Sequence, residues 1–115
     1  MILVIGARAS GKLDYVRSLG YGPEDVADGV LDDKPVLYNL QVLTMGDPAG
    51  APDLFDRLVG KEVVVCDEVG SGVIPMEKER RLGREATGRL CCCLAQEADR
   101  VVRLVCGIPT VIKEA

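Results

Sequence analysis

The sequence opens Met1-Ile2-Leu3-Val4-Ile5-Gly6-Ala7-Arg8-Ala9-Ser10-Gly11-Lys12-Leu13, and the order of residue types in this stretch decides the fold. Residues 2–5 are a short apolar run without alternation, the pattern of a strand buried on both faces. Residues 6–12 then satisfy the spacing G-x-x-x-x-G-K. Glycines let the backbone curl so that successive N–H groups point inward, and a following helix adds its positive end. A lysine at the last position reaches the β- and γ-phosphates of a nucleotide. In a glycine-rich chain the bare pattern arises by chance on the order of once in twenty; a strand before it and a helix after it make it a phosphate-binding loop. Gly6, Ala7, Arg8, Ala9, Ser10, Gly11 and Lys12 are therefore the candidate binding residues for GTP or ATP, with Lys12 also a candidate catalytic group. Leu13 stands where the motif has the Ser or Thr whose hydroxyl ordinarily holds Mg²⁺. That substitution bears on catalysis more than on binding, and leaves the part played by Mg²⁺ open.

Working outward, a helix is expected over about residues 11–19, stopped by Gly20. Residues 20–35 carry Gly22-Pro23, Asp28-Gly29 and Asp32-Asp33 and read as a loop with little regular structure. Residues 36–38 read as a second strand, ending at Asn39. Residues 40–45 fit either its continuation or a helix. A short amphipathic helix follows over 53–59. Residues 62–66 give the strongest strand signal, with Asp67 and Glu68 at its C-terminal end and a flexible loop over 69–72. Val73-Ile74-Pro75 leads to the longest helix, about 77–99, on which Leu82, Ala86, Leu90, Cys93 and Leu94 share one face by helical spacing. Gly83 and Gly88 each cost that helix about 1 kcal/mol against alanine, a cost that close packing against a neighbour or a ligand would explain. A buried strand is expected over 101–106 and a short edge strand over 110–113.

Strands alternating with helices imply an α/β fold with a mainly parallel sheet flanked by helices, in one domain over 1–115. Right-handed crossovers bring the glycine loop and the Asp67-Glu68 strand end to the same sheet edge, where ligands bind in open α/β sheets. Two readings of Asp67 and Glu68 follow: metal water-shell or base chemistry on a substrate hydroxyl, or solvated strand-end carboxylates. The long helix also carries Arg80, Arg81, Arg84 and Arg89. They face either a triphosphate or a neighbouring subunit, or form a solvated surface paired with Glu77, Glu79 and Glu85.

Composition narrows the class. A hydrophobic fraction of 48% with 28% charged residues is globular, and 3% aromatics leaves an aliphatic core. A net charge of −4 argues against broad nucleic-acid binding or an anionic membrane surface. No run approaches the ~18 apolar residues of a membrane span, and the start lacks the charge order of a secretory signal, so a cytoplasmic protein is expected. Five cysteines, three of them consecutive at Cys91, Cys92 and Cys93, occur with no histidine and no C-x-x-C spacing. Neighbouring cysteines on a helix point about 100° apart, so reduced thiols are expected and no zinc site.

From Cys66 onward the sequence resembles the bifunctional adenosylcobinamide kinase / adenosylcobinamide-phosphate guanylyltransferase family of cobalamin biosynthesis. The run Glu68-Val69-Gly70-Ser71-Gly72-Val73-Ile74-Pro75 is similar to the family's N-E-V-G-x-G-[IV]-[IV]-P, with Asp67 in place of the first Asn. Spacing is kept at Arg81, Arg84-Glu85, Gly88-Arg89, Leu94-Ala95, Ala98-Asp99, Gly107-Ile108-Pro109 and Lys113, and the loop is similar to the family's G-G-A-R-S-G-K. The resemblance covers about residues 1–19 and 61–113. It implies a P-loop protein with a RecA-like, three-layer parallel sheet, usually a homotrimer. It implies phosphorylation of the aminopropanol hydroxyl of adenosylcobinamide, with Lys12 on the phosphates and Glu68 near the acceptor. In the family, GMP then passes through a guanylylated histidine. Here the intervening segment is reduced to about residues 20–35 and the chain contains no histidine. Asn39 stands where the resemblance implies a metal-linked Asp at the end of the family's V-L-L-D strand, Cys91-Cys92 replace an Asn-Gln pair, and Gly83 replaces an aromatic. Leu13, Asn39 and the absent histidine together motivate a second expectation, a relative that holds nucleotide or corrinoid without turnover. A third is a scaffold that folds and oligomerises only.

Overall fold

In the computed structural model, which describes residues 1–69 and 77–115, the apolar runs become the centre of one sheet. β1 (Ile2–Gly6) lies between β4 (Val63–Asp67) and β5 (Arg100–Val105), parallel to both. β3 (Val36–Tyr38) pairs with β4, and β2 (Val26–Asp28) with β3, again parallel. β6 (Ile108–Glu114) closes the other edge antiparallel to β5, giving the order β2-β3-β4-β1-β5-β6. The mixed α/β fold with a mostly parallel, helix-flanked sheet is the one expected from the sequence, and is consistent with a P-loop-like fold.

Alternating side chains supply two cores and so three layers. Leu3, Leu37, Val64, Cys66 and Val101 face Leu40 of α2 (Leu40–Gly46), Leu58 of α3 (Phe55–Val59), and Leu90 and Leu94 of α4 (Lys78–Glu97). Val4, Val36, Val63, Val65, Val102 and Leu104 face Val16 of α1 (Lys12–Ser18). The expected strand centres are therefore buried because both faces are covered.

Several expectations change. The segment 20–35, expected to hold little regular structure, contains a 3₁₀ turn, Pro23–Asp25, followed by the short strand β2. The ambiguous stretch 40–45 is helical, entered through Asn39 at φ +62°. The inward face of α4 is rotated from the expected one. Gly83, Thr87, Leu90 and Leu94 are buried, whereas Leu82 and Cys93 are exposed. The cause is α2, which lies so close that a Cβ on Gly83 would sit 2.8 Å from Met45 Sδ. Thr44 and Thr87, both buried, meet there Oγ1 to Oγ1 at 2.5 Å. Gly88 has no such reason, since nothing lies within 4 Å of its Cβ position. Cys106 lies outside β5: Cys106 and Gly107, with φ of +51° and +78°, form the two-residue hairpin turn into β6. The expected loop over 69–72 and the Val73-Ile74-Pro75 lead fall largely on residues 70–76, outside the described residues.

Candidate functional site

Parallel pairing puts the C-terminal ends of β1 and β4 side by side, with Gly6 in register with Asp67. The chain leaves β1 at Gly6, exposes Ala7, Arg8 and Ala9, and returns through buried Ser10 to Gly11. Ala9 and Gly11 both have positive φ, +59° and +92°, which curls the loop 6–12 back on itself. Gly11 then opens α1, a helix of only seven residues. Gly6 fills a different need. A Cβ there would lie 2.8 Å from the Leu104 carbonyl oxygen, so the loop can cross β5 this closely only without a side chain.

The far side of the loop is held by the β5–β6 turn. The Gly107 N–H donates to the Ser10 carbonyl at 2.9 Å, and a Cβ on Gly11 would come within 3.0 Å of Gly107 Cα. The Gly107-Ile108-Pro109 run of the sequence thus serves the loop as well as the hairpin.

Lys12 is 3% exposed, and a buried ammonium needs a counter-charge and hydrogen bonds. Asp67 Oδ1 lies 2.8 Å from its Nζ. Lys12 Nζ also donates to the Ala7 carbonyl at 2.6 Å and lies 3.4 Å from Ser10 Oγ. Removing one partner of such a buried pair costs of order 3–5 kcal/mol, because the other charge is stranded. That figure is an upper bound here, since a fifth of the Asp67 side chain meets solvent.

Of the two acidic residues, Asp67 joins the loop directly. Glu68 joins it through its backbone, whose N–H donates to the Gly6 carbonyl at 2.9 Å. Its carboxylate takes both Arg103 donors, Nε at 2.7 Å and an Nη at 3.0 Å. That hydrogen bonding, with the coulombic attraction, raises the Arg103 pKa further above the range in which a guanidinium is in any case charged. Sequence reading does not single out Arg103, because its strand reads as uniformly buried. Its charge within an apolar run was the available signal.

A further chain of polar contacts runs along the same edge. Asn39 Nδ2 donates to Asp28 Oδ1 at 2.7 Å, Gln41 Nε2 donates to Asn39 Oδ1 at 2.9 Å, and Asp67 N donates to Gln41 Oε1 at 3.0 Å. Tyr38 stands beside it, its phenol pKa raised by burial, then by the Asp67 and Asp28 carboxylates. Asp28 and Gln41 were not legible because the strand β2 and the helix α2 were not.

On α4, Arg80 pairs with Glu77 at 3.3 Å and Arg89 with Glu85, as a charged helix surface would. Cys66 and Cys91 form a thiol–thiol contact under the sheet edge, and the Cys66 thiol pKa is pushed up by that hydrogen bond and by burial. A groove of about 710 Å³ lined by Pro52, Phe55, Leu82, Ala86 and Leu90 lies between α3 and α4 and includes no residue of the loop.

The residues do not fit a magnesium ion held in the way the loop pattern ordinarily holds one. The Leu13 side chain offers no oxygen, and both polar atoms of the Asn39 amide are engaged by Asp28 and Gln41. Among the described residues no group of three His, Cys, Asp or Glu side chains could hold a metal, and no helix is long and apolar enough to cross a membrane.

A family model described as cobinamide kinase / cobinamide phosphate guanyltransferase matches residues 50–112. No curated protein matches the chain. The matched segment contains Asp67, Glu68, Leu104 and Gly107, which meet the loop 6–12 from outside it. With more than half of its length matched, the chain belongs to the cobinamide kinase / cobinamide phosphate guanyltransferase family.

Proposed function

We propose that residues 1–115 act as one nucleoside-triphosphate-binding domain in cobalamin biosynthesis, taking GTP or ATP on Gly6, Ala7, Arg8, Ala9, Ser10, Gly11 and Lys12. The observation that carries this reading is the buried Lys12 ammonium held within a curled glycine loop at the sheet edge. Family membership supports a cobinamide as the substrate class and phosphoryl transfer as the reaction class; the acceptor in this reading is the aminopropanol hydroxyl. In that reaction Lys12 would neutralise phosphate charge and Glu68 would stand near the acceptor, steered by Arg103. Guanylyl transfer through a histidine is not proposed, because the chain has none.

Calorimetry with GTP and ATP, with and without Mg²⁺, tests the binding. Wild type is expected to bind, and Lys12→Ala to weaken binding by about tenfold or more. No detectable binding of either nucleotide to wild type sinks the reading. Transfer is tested separately by incubating the protein with ATP or GTP, Mg²⁺ and adenosylcobinamide; absence of phosphorylated corrinoid at high enzyme concentration removes it.

A second reading, nucleotide or corrinoid held without turnover as a regulator or assembly partner, is favoured by Asn39. An aspartate there would face the Asp28 carboxylate at hydrogen-bond distance, whereas Asn39 donates to it. Binding that ignores magnesium, with no corrinoid product, is the outcome that selects this reading. The working form we take to be a cytoplasmic homo-oligomer, a trimer by family resemblance, which sedimentation tests.

A further inference from the structure

A lysine ammonium has three N–H groups. At Lys12 all three have acceptors inside the protein: Asp67 Oδ1 at 2.8 Å, the Ala7 carbonyl at 2.6 Å and Ser10 Oγ at 3.4 Å. Two of these belong to the loop, and the third comes from β4. A phosphate oxygen therefore reaches Nζ only by taking one of the three places. Asp67 is the group it competes with most directly. Both are anions, and two anions crowded on one ammonium repel each other, whereas a carbonyl and a hydroxyl carry no charge. Asp67 is also able to give way. Its side chain is one-fifth exposed, while its backbone stays fixed through the N–H bond to Gln41 Oε1 and the pairing with Gly6. The carboxylate can swing aside with the strand still in register.

We infer that Asp67 is a latch on the loop: it holds Lys12 when no anion is bound, and a polyphosphate binds by exchanging its oxygen for the Asp67 carboxylate. This deepens the phosphate-site reading of the loop 6–12 and rests on it. The latch makes Asp67 a determinant of anion affinity, acting through Lys12 as a positioning residue.

Pyrophosphate and GTP are titrated calorimetrically into wild type, Asp67→Asn, Lys12→Ala and Asp14→Asn. Asp14 carries the same charge in the first turn of α1 but lies 3.7 Å from Arg17, so its variant measures the effect of net charge alone. Asp67→Asn is expected to bind both ligands about tenfold tighter or more, Asp14→Asn to stay within about threefold of wild type, and Lys12→Ala to lose binding. Equal or weaker binding by Asp67→Asn, with wild type binding and Lys12→Ala not, overturns the latch and leaves the phosphate site standing. An equal gain in Asp14→Asn overturns it too. Silence from wild type and Asp67→Asn alike overturns the phosphate site and the latch together. If Asp67→Asn does not fold, carboxyl-carbon NMR of wild type decides. The Asp67 resonance must shift at saturating pyrophosphate, and an unmoved resonance overturns the proposal.

Discussion

At Gly6 the backbone φ is not positive, so this glycine is not there for a left-handed turn. It is there because β5 passes too close: a Cβ would meet Ser10 Oγ at 2.5 Å and the Leu104 carbonyl at 2.8 Å. The hydroxyl can rotate away, but the carbonyl belongs to a strand paired on both sides and cannot. Gly6→Ala is accordingly expected to lower stability by about 1–3 kcal/mol, the usual range for overpacking, as read from the urea midpoint. A variant as stable as wild type would mean that the loop and β5 stand further apart than described. The first and second glycines of one motif thus answer to different constraints, space at Gly6 and a φ of +92° at Gly11.

Between elements, the contact of α2 with α4 decides more than either helix does alone. Gly83 sits under Met45, while Gly88, five residues on, faces open space. Gly88→Ala should therefore stabilise the protein by about 0.5–1 kcal/mol through helix propensity. Gly83→Leu should destabilise it by about 1–3 kcal/mol by driving α2 off α4. Thermal unfolding of the two variants checks both signs. The same contact explains what the sequence could and could not convey. β1, α1 and β4 were legible because uninterrupted apolar runs and a glycine loop are local signals. The 3-residue strand β2 was not, because turn residues surround it and its pairing with β3 is not local. The inward face of α4 was misread for a related reason. Periodicity ranked Leu82 and Cys93 as core, but a close helix neighbour selects small residues, and so Gly83 and Thr87 face in. At the site, the glycine loop and Asp67 were legible from spacing and strand ends. The turn of Glu68 toward Arg103, and the Asp28–Asn39–Gln41 chain, depend on strands brought together by the fold.

For the molecule as a whole, two tyrosines couple stability to alkaline pH. Burial raises the pKa of Tyr21 and Tyr38 above the ordinary 10.0, helped at Tyr21 by its bond to Glu62 and at Tyr38 by Asp67 and Asp28. A pKa raised by folding means that the folded state keeps protons which the unfolded state sheds. The stabilisation is complete below about 10, the unfolded value, and is lost as pH climbs through the higher folded values. Unfolding midpoints measured across that window should fall. The fall should be shallower in Tyr38→Phe, and an equal slope in the two proteins would contradict the assignment. One contact joins the two ends of the chain at the site: the Gly107 amide from the hairpin, bonded to the Ser10 carbonyl of the loop. Turn amides at an exposed hairpin tip ordinarily exchange with solvent quickly, and this one is tied down only while the loop keeps its curl. Its deuterium exchange rate is therefore a built-in gauge of loop opening, readable at a single resonance without any label on the ligand.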